Sequence, residues 1–464
     1  MTRTAPAEPS TVTVREGAVP VLVIVALGAV AGIVAWTSVV GSDALWLSAL
    51  GDAIRADRRI PVGVPFAAAP SGDWVNTTAL GQVVFSVLHL GGSLGVVAGH
   101  VVAVTCTLWM LVSAATRRGA RITGLVAALL LVLVGGAAPL LIARAQLLSL
   151  VPYAALLVLL RREHDRPSRF IWAAVPLVAL WGNLHGAVLV GVAVLGCYLI
   201  LSRLRRDPRT AVGVGLLSLA ATCLNPGLLR APSYYLGVFG GAAMSDDSGM
   251  WSRLSLSNPF DLLLLVAAIS LGYMAFRGRR PAWEYAAVLG LGGATLVAAR
   301  HGIWLLLFLS VPAALALTRR RGDAATPREP ASRRVSAATA LACAVGVAAL
   351  LTVRAATFNA ADDEASQLAT ATRGQVVLVA EPLAESLAAA GTTVWVSNPL
   401  DAFEHADQTA YLAFMDGDAD GGARAFAGAE VVVALPGSSQ ERAAVTRGFT
   451  AQQRVGSYLL LRRG

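Results

Sequence analysis

Long apolar runs, broken at short intervals by clusters of arginine, are the feature that most constrains this chain. Segments near 18–40, 94–115, 122–140, 145–160, 170–184, 186–201, 210–224, 261–276, 283–299, 302–318 and 335–353 are apolar almost throughout. A bilayer core of about 30 Å needs about 20 apolar residues in a helix, so the runs read as about eleven transmembrane helices, some of them short. With 56% hydrophobic and 14% charged residues, the chain has too little polar surface to coat a soluble globule. The first run follows Arg15 and lacks a small-residue cleavage site near Gly41, which marks it as a retained span rather than a leader.

Arginine placement tests the count, because an error of one span would scatter basic loops over both faces. Arg117/Arg118/Arg121, Arg161/Arg162/Arg166/Arg169, Arg203/Arg205/Arg206/Arg209, Arg277/Arg279/Arg280 and the Arg319–Arg334 stretch all fall on the N-terminal side. That side is therefore expected to be cytoplasmic, in a multi-pass protein of the cell inner (plasma) membrane. The alternation requires 76–92 to lie as a juxtamembrane helix, and 43–56 reads as an interfacial amphipathic helix that turns Asp43, Asp52 and Arg55 to water. The expected organisation is a cytoplasmic N-terminus (1–17), a transmembrane domain (18–357) with a first external loop (41–93), and an extracytoplasmic domain (358–464).

The last segment changes pattern. QVVLVA (375–380), TVWVSN (393–398), EVVVALP (430–436) and SYLLLRR (457–463) read as strands, with helices over 381–390, 406–416 and 439–447. A small α/β domain with a largely parallel sheet is expected. Its charge is −6 against +15 for the rest of the chain. All 37 basic residues are arginine, a composition that points to codon bias, and the +9 total implies no nucleic-acid partner. Four cysteines in apolar runs imply no disulfide framework.

On this topology the distinctive polar residues share the outer face. Charges at a membrane edge are costly and mark polar cavities or ligand routes. Asp43 follows the first span, where a carboxylate serves as a general base or as an ordinary first-turn helix charge. Arg144 and Arg300-His301 lie between spans on the side where the positive-inside preference disfavours them, and two outward guanidiniums suggest an anionic ligand such as a phosphate. Asn183 and His185 sit at a break in an apolar stretch, where a histidine is either a hydrogen-bonding support or a base. Asn225, Tyr234-Tyr235 and Asp246-Asp247 lie in a long loop of the kind that covers or binds a ligand. His89 and His100 stand alone in apolar helices. Asp416, Asp418, Asp420 and Gly421 open like a calcium loop, but position twelve is Ala427, so a polar turn is expected. No Walker loop or zinc-ligand cluster occurs.

The ordered set Asp43-x-x-Trp46 with Gly51, Trp74-Val75-Asn76 with Leu80 and Gln82, Arg144-x-Gln146, Asn183-Leu184-His185-Gly186, Leu224-Asn225-Pro226 and Ala299-Arg300-His301 runs through almost the whole chain. It resembles the GT-C-type glycosyltransferases, polytopic enzymes that take sugar from a polyprenyl-phosphate carrier, and within them a largely uncharacterised bacterial branch similar to protein mannosyltransferases. The resemblance implies a GT-C-like helical membrane fold carrying the small C-terminal α/β domain. It implies Asp43 as catalytic base with His185 beside it, and Trp46, Asn76, Gln82, Arg144, Gln146, Asn183, Asn225, Arg300 and His301 around the substrates. The partners implied are a polyprenyl-phosphate-linked sugar donor, an envelope acceptor (glycan, lipid or protein) and the bilayer; no organic cofactor is implied, and a divalent metal stays open. The chain departs from the family in the first loop, where Ala44 follows Asp43 and Asn76-Thr77-Thr78-Ala79 stands where an Asn-His-Glu-Trp run is expected. Asp52, Asp73 or Asp246 are the candidates for a second acid. Two other readings remain open: an envelope-assembly protein that keeps the fold without catalysis, and a lipid or solute transporter. A transporter would call for polar residues reachable from both faces and for internal repeats, and neither is evident.

Overall fold

The computed structural model describes residues 19–238, 253–316 and 333–464; Asp246, Asp247 and most of the Arg319–Arg334 stretch fall outside them. Each expected span coincides with a helix. In chain order the helices are α1 (Val21–Thr37), α2 (Ser42–Asp57), α3 (Ala79–His89), α4 (Gly92–Arg117), α5 (Ile122–Gly135), α6 (Ala137–Leu140), α7 (Leu147–Asp165), α8 (Ala174–Leu184), α9 (Val188–Tyr198) and α10 (Pro208–Ala221). They continue with α11 (Ala231–Val238), α12 (Pro259–Phe276), α13 (Ala282–Val297), α14 (Gly302–Leu315) and α15 (Arg333–Ala371). Among the described residues three helices are long and apolar enough to cross a membrane by length and composition: α4, α12 and α15. The remaining apolar helices run 10–17 residues, shorter than a full crossing.

The helices sort by how their apolar residues are covered. α14 is apolar all round and buried from Gly302 to Ala314, which makes it the centre of the bundle, flanked by α12 and α5. Tyr153 of α7 packs edge-on against Trp181 and Trp304 and donates its hydroxyl hydrogen to the Trp304 carbonyl at 3.1 Å. α15 is the opposite case: the apolar stretch it presents is uncovered by protein, and it leans mainly on α1. Exposed Leu22, Ile33, Leu216, Leu219, Ile269 and Leu289 continue that uncovered apolar surface, as expected where lipid is the solvent.

Charge on the arginine-rich face is paired when it is buried. Arg161 faces Glu284 at 3.3 Å and donates to the Phe308 carbonyl at 2.6 Å. Arg203 faces Glu163 at 3.4 Å, and Glu163 in turn accepts from the Ser168 backbone N–H at 2.8 Å. Removing one partner of such a pair leaves a buried charge uncompensated, at a cost of about 3–5 kcal/mol.

Two expectations about the first external loop change. α2 was expected to lie at the interface with Asp43, Asp52 and Arg55 in water; instead residues 44–51 are buried in an unbroken run. The cause is α3, which folds back along α2. Gly51 makes this approach possible: a Cβ there would stand 2.0 Å from the Gln82 carbonyl oxygen. Arg55 and Asp52 remain half-exposed and meet on the Ser86 hydroxyl, which accepts from Arg55 at 2.9 Å and donates to Asp52. Asp43 is mostly enclosed.

The C-terminal segment holds β3 (Val377–Val379), α16 (Leu383–Ala389), α17 (His405–Asp416), α18 (Ala423–Ala427), β4 (Val431–Ala434), α19 (Ser439–Thr446), β5 (Phe449–Val455) and β6 (Tyr458–Arg463). The sheet order is β3-β4-β6-β5. Only β3 and β4 are parallel; β6 is antiparallel to both neighbours, which corrects the expectation of a largely parallel sheet. The reason is β5, a strand unrecognised in the sequence because five of its seven residues are exposed and polar residues dominate it; a two-residue turn at Gly456-Ser457 joins it to β6 as a hairpin. The 393–398 strand reduces to single bridges at Val394, with Val377 on one side and Ala67 of the first external loop on the other. α15 runs unbroken through 358, so the tail sheet starts at 377 on the end of a 39-residue helix.

Gly51→Ala is expected to push α3 off α2, an overpacking cost of about 1–3 kcal/mol. Thermal unfolding of detergent-solubilised protein, followed by tryptophan fluorescence, checks it: the Gly51 variant melts several degrees lower. Gly196→Ala in α9, where a Cβ meets nothing within 4 Å, should melt as the parent does.

Candidate functional site

The site is built on four residues of backbone pairing. Beyond α1 the chain forms β1 (Val39–Val40), which pairs in parallel with β2 (Ile142–Ala143). Val39 N–H donates to the Leu141 carbonyl at 3.0 Å and Gly41 N–H to the Ala143 carbonyl at 2.9 Å. The register continues one residue further on each strand and brings Asp43, in the first turn of α2, to Arg144, with Nε and Oδ2 3.5 Å apart. Glycine at position 41 permits the close approach, since a Cβ there would crowd Ile142 at 2.9 Å and Arg144 at 3.3 Å. Both charged side chains are mostly enclosed, at 16% and 14% exposure. An acid in a helix's first turn is also favoured by the helix dipole.

Arg300 stands in the short turn between α13 and α14, within electrostatic reach of both Arg144 and Asp43. Gln146, two residues beyond Arg144, donates its amide to the Arg300 carbonyl at 3.4 Å, and its Oε1 is buried with no hydrogen-bond partner. His301 is next in chain, and its Nδ1 is likewise buried and unpartnered.

His185 caps α8 beside these two arginines. Trp181 Nε1–H donates to the Ser149 hydroxyl at 2.7 Å, and that hydroxyl lies 2.7 Å from His185 Nδ1. The Ala187 N–H also points at Nδ1, at 3.3 Å. A tryptophan and a backbone amide can only donate, so Ser149 donates to Nδ1 and the ring proton sits on Nε2. Nδ1 is thereby committed, and the chemistry left to His185 is donation from Nε2–H.

The other residues singled out in the sequence hold the surrounding loops. Asn76 and Gln82 pair their amides reciprocally at 2.8 and 2.9 Å, both buried. Asn183 ties the end of α8 to the Leu224 carbonyl after α10. Asn225 accepts from Gly227 N–H at 2.8 Å and donates to the Thr222 carbonyl at 2.7 Å, which closes the turn. Trp46 packs edge-on to Trp74 at 6.5 Å, below Asp43. Asp52 pairs with Arg55 one face away, and the Asp418 carboxylate accepts from the Asp420 and Gly421 N–H groups as a polar turn does.

The sequence reading missed the residues the tail lays over this site. The first external loop enters the tail sheet: Val394 N–H donates to the Phe66 carbonyl at 2.9 Å and Ala68 N–H to the Val394 carbonyl at 2.8 Å. Val64 and Ala69 of the loop are buried with Trp395 and Phe403 of the tail. α16 then rests on α2, and Glu381, just beyond β3, meets the Ser42 side chain and feels the charge of Asp43. Asn398 joins Glu381 to Glu385, donating to Glu381 Oε2 at 2.6 Å and to Glu385 Oε1 at 3.0 Å. Its backbone N–H adds a bond to Glu385 Oε1 at 3.1 Å, while Glu385 Oε2 is buried and unpartnered. An acid at the carboxyl end of a strand, Glu381-Pro382 after QVVLVA, was the signal available, because ligands of α/β sheets gather at such ends. Tyr234 of the 225–238 segment donates to Asp401 at 2.8 Å and closes the same edge.

Burial pushes the Glu385 carboxyl up to about 7, with the Glu381 charge adding to the effect. Crowding on the α2 side raises Glu381 as well, opposed by the Asn398 amide and reinforced by Asp43. Glu381 nevertheless keeps an exposed surface, the combination expected of a group lining a cleft. A carboxyl raised on folding holds its proton more tightly in the native state, so its stabilising contribution is present at low pH and is lost as pH rises through about 7. Melting temperatures measured from pH 4.5 to 8.5 should fall through that window. Glu385→Gln should flatten the fall and melt higher than the parent at pH 8.5.

No protein-family model matches the chain, and no curated protein is found similar to it. Solved structures do match. ArnT from Cupriavidus metallidurans bound to undecaprenyl phosphate aligns with a TM-score of 0.54 at 13% identity, over 95% of this chain and 97% of ArnT. The mycobacterial arabinofuranosyltransferase AftD aligns with a TM-score of 0.50 at 18% identity, over 95% of this chain but 41% of AftD. The oligosaccharyltransferase AglB from Archaeoglobus fulgidus, in complex with an inhibitory peptide and a dolichol-phosphate, gives 0.48 at 12% identity, over 88% and 69% of the two chains. At these identities the likeness is one of architecture: the chain has the fold of the GT-C-type membrane glycosyltransferases, the family its motifs resemble.

Proposed function

We propose that the chain is a membrane glycosyltransferase that moves a sugar from a polyprenyl-phosphate-linked donor to an envelope acceptor on the extracytoplasmic face of the inner membrane. The observation that carries this reading is the Asp43–Arg144 pair with Arg300 and His185 beside it, in a fold shared along its whole length with a protein solved bound to undecaprenyl phosphate.

Each group then has a task. Asp43 takes the proton of the acceptor hydroxyl as that oxygen bonds to the sugar's anomeric carbon. The bond between that carbon and the phosphate oxygen breaks, and its electron pair leaves with the polyprenyl phosphate. Arg144 and Arg300 stabilise the departing phosphate, a charge that grows in the transition state and is met by dipoles and charges already in place. His185 donates from Nε2–H towards an oxygen of donor or acceptor. The apolar surface of the bundle receives the polyprenyl chain.

Deletion cells should accumulate a lipid-linked sugar and lack one envelope glycan component, both read by mass spectrometry. Asp43→Asn should reproduce the deletion, with transfer reduced about 100-fold or more, as is typical for loss of a general base. The reading fails if Asp43→Asn restores the parent glycan profile. If a variant combining Asp43→Asn, Arg144→Ala and Arg300→Ala complements the deletion fully, the chain acts in envelope assembly without catalysis.

A further inference from the structure

We propose that a cavity on the arginine-rich face, at the far end of the helices that carry the candidate site, binds a phosphate group, either the headgroup of an anionic phospholipid or a free phosphate. The cavity measures about 360 Å³, within the range of pockets that hold small ligands, roughly 300–1,000 Å³. The proposal is independent of the glycosyl-transfer reading and uses none of the residues assigned to it.

Several helix ends meet there. Arg118 stands just beyond α4, Arg161 and Asp165 lie in the last turns of α7, Arg280 precedes α13, Glu284 is in the first turn of α13, and Leu315 ends α14. α7 and α14 begin next to Arg144 and Arg300, so the cavity lies about 20–25 Å from the candidate site along the same two helices, at about 1.5 Å per residue. The end of a membrane bundle is the level of lipid phosphates, and basic pockets between spans take anionic headgroups there. Trp283, Val311 and Leu315 add an apolar wall, against which the carbons next to a lipid phosphate can rest.

The lining holds three guanidiniums and two carboxylates. Each carboxylate already has its own arginine: Arg118 donates twice to Asp165, at 3.1 and 2.8 Å, and Arg161 Nε donates to Glu284 at 3.3 Å. The surplus positive charge therefore falls on Arg280. Its Nε and Nη2 donate to the Ala275 and Pro312 carbonyls at 2.8 and 2.7 Å, neutral acceptors that fix the guanidinium without cancelling its charge. A planar guanidinium held in this way is preorganised for the oxygens of a phosphate. Arg161 adds a second unmet demand. Its Nη2 donates to the Phe308 carbonyl and its guanidinium lies over the Phe308 ring, while Nη1 is buried with no partner among the described residues. A buried charged donor left unpaired is costly, and an anion in the cavity that Arg161 lines would offset that cost. A cation in the same place would meet the surplus charge of Arg280 instead.

The test uses purified full-length protein, delipidated in an uncharged detergent, and follows thermal unfolding as one of three probes is added: phosphatidylglycerol, zwitterionic phosphatidylcholine, or inorganic phosphate at an ionic strength matched with chloride. A ligand that binds only the folded state raises the melting temperature with its concentration. Phosphatidylglycerol should raise it by several degrees and saturate, and phosphatidylcholine should leave it unchanged. A rise with inorganic phosphate as well assigns the site to free phosphate; a rise with phosphatidylglycerol alone assigns it to the lipid headgroup. Arg280→Gln should weaken the apparent affinity about 10-fold or more. Because Arg280 also ties two helix ends together, a second variant approaches from the opposite wall: Leu315→Glu puts a carboxylate into the cavity with all three arginines in place, and should abolish the rise. Arg205→Gln combined with Arg209→Gln, both exposed on the same face outside the cavity, should keep the parent response. No rise with either phosphate probe overturns the proposal, as do equal rises from the two lipids. It is also overturned if Arg280→Gln and Leu315→Glu respond as the parent does, or if the Arg205 and Arg209 variant loses the response as fully as they do.

Discussion

Everything in the candidate site depends on the pairing of Val39–Val40 with Ile142–Ala143. It is unusual for a membrane bundle to place two short strands at a helix end, because backbone groups at that depth need partners in place of water. Here each strand satisfies the other, and the register does the rest. Gly41 follows one strand and Arg144 the other, and Asp43, two residues past Gly41, reaches Arg144. Two residues 101 positions apart in sequence become an ion pair because of two main-chain hydrogen bonds. A slip of one residue would turn the arginine away.

The second dependence is on the first external loop. It contributes α2 to the membrane side and Ala67 to the tail sheet, so one segment belongs to both bodies. The loop therefore links the two: the segment that carries Asp43 at its start meets the tail sheet at Phe66–Ala69. The Phe66–Ala69 stretch gives up an exposed edge, which a sheet otherwise has to protect, and gains burial for Val64 and Ala69 against Trp395 and Phe403. A chain that kept only the membrane part would expose that edge and lose Glu381 together.

Much of this was legible in the sequence, and the failures have physical causes. Helices that bury or expose apolar residues all round announce themselves by composition, so every expected span falls on a helix. Asp43, Arg144, His185 and Arg300 were found because they violate a preference: charged or polar groups at breaks between apolar runs, on the face where arginine is disfavoured. What was not legible depended on contacts between distant segments. Asp43 read as an interfacial charge because nothing local reveals that Arg144 stands beside it. β5 escaped because its sequence is polar on a sheet edge. Glu381, Glu385 and Asn398 look like ordinary acids and turn residues until α16 is laid on α2.

The arginine-rich face shows the same lesson from the other side. Its arginines were read as topological markers, a function that needs only charge in water. Two of them do more: Arg161 and Arg203 are 6% exposed and meet Glu284 and Glu163, themselves 7% and 0% exposed. These pairs link α7 to α13 and to the turn after α9, so they clamp the far ends of the helices whose near ends carry the site. Arg162, Arg205 and Arg206 beside them remain exposed, as the reading of the cluster as a topological marker requires. One basic cluster therefore performs two physical tasks at once, and only burial separates them. The two faces are alike in pairing distance, 3.3 and 3.4 Å on one and 3.5 Å for Asp43 and Arg144 on the other, and alike in keeping buried polar atoms without partners, on Arg161 and Arg203 in the one case and on Gln146 and His301 in the other. Each such atom costs stability where it stands, so what separates the two faces is the sequence context of the groups, helix-clamping pairs in one and turns between spans in the other, and not how completely they are satisfied.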